Sequence, residues 1–77
     1  MRKVFDKSIS VEGTGENLHQ LRKSLGLRVV EVQRFLGLSS VQAVYRWEHG
    51  NCLPAYEHLL GLSALYNCSI GVIFRRS

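Results

Sequence analysis

Between positions 41 and 49, Val41, Val44 and Trp47 recur at helical spacing, while Gln42, Tyr45, Arg46 and His49 fall between them. At about 100° per residue, the first set shares one side of a helix and the second set the other. The pattern predicts a helix over about 40–49, with a core face and an outward face of flat or forked hydrogen-bonding groups. Ser39 or Ser40 is available as its N-cap, and Gly50 as its stop. Upstream, Leu18, Leu21 and Leu25 mark a helix that starts after Thr14, a candidate N-cap, and closes at Gly26. A second stripe, Val29, Val32 and Leu36 with Phe35 beside it, predicts a helix of about two turns ending at Gly37. Downstream, Pro54 suits a helix first turn, Tyr56, Leu59, Leu60, Ser63 and Tyr66 form a core-facing side, and Asn67 closes the helix. Ser69 can cap the short apolar "IGVIF". The first fifteen residues carry Val4, Phe5, Ile9 and Val11 and close on Gly13 and Gly15, which suits an extended arm tethered to the core. The expectation is an all-α domain of five short helices at 16–77, preceded by an arm at 1–15.

Composition narrows the function classes. A chain of 77 residues is one domain, and at that size it buries only about 60% of the surface its unfolded form exposes. With one proline and no low-complexity run, it is foldable rather than disordered. No apolar run approaches the roughly 20 residues of a membrane span. "MRKVFDKSIS" has no apolar segment after its basic residues, so the expected location is cytoplasmic, away from any membrane. Cys52 and Cys68 have no partner at metal-ligand spacing and are expected as free thiols, with neither metal nor cofactor implied. No Ser/His/Asp arrangement, phosphate-cradling glycine loop or paired carboxylates argue for an enzyme. The net charge of +4 is unevenly spread. Arg22, Lys23, Arg28, Arg34 and Arg46 face a single acid, Glu31, between positions 22 and 46. That is either the footprint of a polyanion or a basic, solvated surface.

A short helix, a tight turn and a second helix with a polar outward face make the helix-turn-helix plan, whose second helix enters the major groove of DNA. Gln pairs bidentately with adenine and Arg with guanine, and Gln42 and Arg46 share one helical face. Trp47 belongs to the core stripe rather than to base stacking. His19 and His58 read as solvent-facing helix residues.

The order and spacing of "LHQLRKSLGL", "VVEVQRFLGLSS" and "VYRWEHGNCLPAYEHLLGLSALYNCSI" resemble the Cro/C1-type (XRE-like) helix-turn-helix DNA-binding domains of bacterial and phage regulators, over about residues 16–74. The resemblance implies a compact, lambda-repressor-like domain that binds double-stranded DNA as a small transcriptional regulator. It places Val41, Gln42 and Arg46 at base-contacting positions with Tyr45 beside them. Arg22 and Glu48 fall where the family forms a structural ion pair. Arg28, Lys23, His49, Ser40 and Asn51 are the candidate phosphate contacts, and Arg2, Lys3 and Lys7 a candidate minor-groove arm. One reading helix covers a short half-site, so a homodimer is expected, formed in solution or only on DNA, on a pseudo-palindrome. The chain departs from the family pattern three times: "GLSSV" is one residue longer than the usual turn, Arg28 and Val29 stand where a small polar residue and Gln are usual, and Gln33 replaces a small residue. A second reading follows from these departures. The same fold would serve as a protein-interaction module, such as an antitoxin or regulatory partner, using "IGVIF", Val4, Phe5 and Ile9 as its surface.

Overall fold

The computed structural model describes residues 9–76, and within them five helices follow one another: α1 (Val11–Ser24), α2 (Val29–Leu36), α3 (Gln42–Glu48), α4 (Tyr56–Tyr66) and α5 (Ile70–Ile73). The architecture is all-α, with one isolated antiparallel bridge between Ser10 and Arg75. Leu18 of α1, Val32 of α2, Val44 and Trp47 of α3, Leu59, Leu62 and Tyr66 of α4, and Ile73 of α5 form one core. Each helix supplies the residues that its own period places on one side. Gly26, Gly37, Gly50 and Asn67, the four expected stops, all have positive φ. Their left-handed backbone closes the first four helices, with hydrogen bonds back to carbonyls of the last turn, while α5 ends at Phe74 in extended backbone.

The extended reading holds at Ser10 and is corrected for residues 11–15, because α1 begins at Val11, and Ser10 rather than Thr14 is its N-cap. Ser10 Oγ accepts from the Gly13 N–H at 2.8 Å. Thr14 is buried instead, its Oγ1 accepting from the Arg75 N–H at 3.0 Å. The two glycines that suggested an arm have a packing role. A Cβ on Gly15 would lie 2.4 Å from the Trp47 carbonyl oxygen, so only glycine lets α1 cross the end of α3 this closely. Val4, Phe5, Arg2, Lys3 and Lys7 lie outside the described residues.

Smaller corrections follow from the same packing. Pro54 precedes α4 and is buried, with Ala55 as the cap. Tyr56 and Leu60 face outward, while Leu62 takes the core position. In a helix this apolar on all sides, periodicity does not separate the two faces. His58 lies against Trp47 with ring centroids 5.4 Å apart, and His19 is half-buried, so neither is a purely solvent-facing residue. Cys52 is exposed and Cys68 half-buried, both free. Burial pushes the Cys68 thiol above its ordinary pKa, which keeps it protonated and unreactive.

Candidate nucleic-acid interface

The helix that opened the sequence reading is seven residues long, from Gln42 to Glu48. Its inward face buries Val44 and Trp47, while Gln42, Tyr45, Arg46 and the following His49 are exposed. The Tyr45 and His49 rings, one turn apart, lie 6.0 Å between centroids. Among the described residues no carboxylate pairs with Arg46 or Lys23. Their charge is therefore available to a ligand.

Neither serine of the turn is the N-cap of α3. Val41 holds that position, in helical backbone and with no side-chain acceptor. Ser40 Oγ still accepts from the Gln42 N–H, at a long 3.3 Å. Val41 therefore sits at the rim of the reading helix rather than on its exposed face. With Tyr45 it walls an open cleft of about 550 Å³, completed by Lys23, Arg28, Val29 and Val30. The cleft joins two of the expected base-contacting residues to two of the expected phosphate-contacting ones. Gln42 and Arg46 lie along α3 outside it, Ser40 lies in the turn before the helix, and exposed His49 and Asn51 lie at its far end.

Arg28 is the N-cap residue of α2, a position that favours an acceptor. A guanidinium has only donors, so just the reciprocal half of a capping box forms, with Glu31 Oε1 accepting from the Arg28 N–H at 2.7 Å. The same carboxylate stands 3.8 Å from the Arg28 guanidinium. Both groups are well exposed, and the contact leaves the arginine able to turn outward.

The acid of α3 is sequestered. Arg22 Nε donates to Glu48 Oε2 at 2.7 Å and Arg22 Nη2 to Oε1 at 3.0 Å, a bidentate pair that joins α1 to α3. Arg22 Nη1 also donates to the Leu27 carbonyl at 2.9 Å. His19 Nδ1 completes the cluster, 2.9 Å from Glu48 Oε1. Only 5% of the Glu48 side chain and 10% of the Arg22 side chain remain exposed. Burial alone would raise the Glu48 carboxyl, but the hydrogen bonds from Arg22 and His19 outweigh it and hold the group below its ordinary value. The Glu48 hydrogen bond likewise raises Arg22. Glu48 is thus an anion at neutral pH, paired inward on Arg22 and turned away from the exposed face, where it does not repel a polyanion. The part of His19 was missed in the sequence, although its place three residues before Arg22, on the same face, was the available signal.

Gln33 reaches the turn. Its Nε2 donates to the Leu38 carbonyl, while the Leu38 N–H donates back to the Gln33 carbonyl at 3.0 Å. The Gln33 side chain is therefore bonded to the turn that follows α2.

A family model described as helix-turn-helix matches residues 18–73, spanning all of α2, the turn and α3. The chain belongs to the helix-turn-helix family. Among solved structures, this helix-turn-helix domain is similar to the P22 c2 repressor protein in complex with synthetic operator 9T in the presence of Tl+. The two are 31% identical with a TM-score of 0.74, over 80% of this chain and 92% of that one. Curated protein sequences offer no significant match. Of the apolar surface expected to serve a protein partner, Ile73 is fully buried, Ile70 and Phe74 are half-buried, and Val72 and Ile9 are exposed, while Val4 and Phe5 lie outside the described residues. No helix among the described residues is long and apolar enough to cross a membrane.

Proposed function

We propose that this domain is a sequence-specific, double-stranded DNA-binding transcriptional regulator that lays α3 in the major groove. The observation that carries the reading is the division of α3 itself. Gln42, Tyr45 and Arg46 stand outward, while its acid, Glu48, is locked inward on Arg22. A helix with that division presents bidentate donors and acceptors to base edges without carrying a repelling charge. Similarity to a repressor crystallised on operator DNA supports the same reading. Arg46 and Gln42 read bases, Tyr45 and Val41 supply apolar contact to thymine methyl groups, and Lys23, Arg28, Ser40, His49 and Asn51 hold phosphates. A seven-residue helix spans one short half-site, so the protein binds as a homodimer, assembled in solution or on DNA, to a pseudo-palindrome. The reading involves no catalytic step.

Selection from a randomised duplex pool at two salt concentrations tests it. Enrichment of a short site, with affinity falling steeply as salt rises, is the expected result. Salt-insensitive binding without enrichment would instead favour the protein-interaction reading.

A further inference from the structure

The two ends of α3 are held by unequal means. At its carboxyl end, Glu48 is clamped by Arg22, and the backbone from Trp47 to Gly50 packs against Gly15. At its amino end, the cap residue Val41 has no side-chain acceptor, and Ser40 offers one long contact. Ser39 and Ser40 are exposed. What fixes this end is Leu38, whose N–H and carbonyl are both taken by Gln33, one through its backbone and one through its side-chain amide. We propose that Gln33 is a positioning residue. By holding the Leu38 carbonyl it sets the lengthened turn, and with it the amino end of α3 where Gln42 lies.

The chemistry favours this amide. A small residue at 33 would leave the Leu38 carbonyl without its side-chain donor, and a carboxylate would face it acceptor to acceptor. One neutral hydrogen bond is small beside the stability of a whole domain, so its loss loosens the turn without unfolding the protein. The consequence for selectivity rests on the DNA-reading function proposed above. The hold on the turn does not, and is measurable without DNA.

Amide hydrogen exchange on the full chain, for wild type, Gln33→Met and Gln33→Glu, separates the two. The Leu38 N–H reports on the turn, the Tyr45 N–H, bonded to the Val41 carbonyl, on the amino end of α3, and the Asn51 N–H, bonded to the Arg46 carbonyl, on the far end. Both variants are expected to exchange roughly tenfold faster at Leu38 and Tyr45 with Asn51 unchanged, the signature of a local opening. No change at Leu38 and Tyr45, or equal acceleration at all three amides, overturns the proposal. Should Gln33→Met be too unstable to measure, Gln33→Glu carries the same comparison. In parallel duplex selections, Gln33→Met is expected to lose about tenfold in preference at the base pairs under the amino end of α3, the scale of one good bidentate contact. Its salt dependence stays unchanged, since no cation is removed. Faster exchange with intact preference overturns the selectivity consequence. A wild-type protein that enriches no site overturns the DNA-reading function, while the exchange result still decides what Gln33 does.

Discussion

Arg46 and Lys23 are both exposed cations, yet DNA would use them differently. Arg46 stands on the outward face of α3, where in the proposed function its forked guanidinium would meet a guanine edge. Lys23, at the end of α1, would meet only backbone phosphate. Arg46→Ala is expected to cost about 1–3 kcal/mol on the selected site and far less on random DNA, whereas Lys23→Ala weakens both equally and reduces the salt slope by about one. Titrations on cognate and scrambled duplexes at several salt concentrations read both effects, and an equal loss on the two duplexes for Arg46→Ala would remove it from base reading. Glu48 belongs to stability instead. Its carboxyl is depressed in the folded protein relative to the ordinary value of 4.5. The stability it contributes is thus complete above that value and is lost as pH falls through the lower, folded one. Removing one partner of such a buried pair costs about 3–5 kcal/mol, so Glu48→Ala is expected to melt well below wild type, and Glu48→Gln to show a flatter acid limb in thermal melts carried from neutral pH down to below 4.5.

At the scale of elements, two glycines allow helices to touch, and what each touches differs. A Cβ on Gly15 would meet the Trp47 carbonyl at 2.4 Å, while one on Gly61 would meet Leu36 Cδ2 at the same distance. The first wall is backbone and cannot yield without moving α3. The second is the tip of a flexible side chain. Gly15→Ala is therefore expected to cost at least the 1–3 kcal/mol typical of overpacking and to weaken DNA binding with it. Gly61→Ala is expected near neutral, its clash offset by the roughly 1 kcal/mol that alanine gains over glycine inside a helix. Circular-dichroism melts of the two variants test the order, and a reversal would contradict the packing described. Helix stops were legible because Gly and Asn mark left-handed positions by chemistry alone. The start of α1 was not, since Gly13 and Gly15 look like loop residues until the close crossing with α3 is seen. The outward face of α3 was legible from its period. The cluster around Glu48 was only half so: the Arg22 partner came from resemblance, and His19, three residues before Arg22 on the same face, joins Glu48 only once α1 and α3 are packed together.

For the whole molecule, the carboxyl end is stitched to the first helix. The Ser10 N–H donates to the Arg75 carbonyl at 2.8 Å, Asn17 Nδ2 to the Val72 and Ile73 carbonyls at 2.7 and 2.8 Å, and Arg75 Nη1 meets Glu16 Oε1 at 3.0 Å. Asn17→Ala is expected to free α5 and speed exchange at the Val72 amide, with the α3 amides little changed, because the lost bonds anchor one short helix. Protection retained at Val72 would show that core packing of Ile73 suffices. The stitching also brings the two ends of the described chain together, so the fold is nearly a closed ring of helices whose covalent starting point is arbitrary. A permuted chain that keeps every residue, with residues 1 and 77 joined by a short linker and opened in the exposed stretch between Cys52 and Leu53, should keep the fold. The cut falls between the reading unit and α4, so such a rearrangement would present the reading unit as the chain's own carboxyl end.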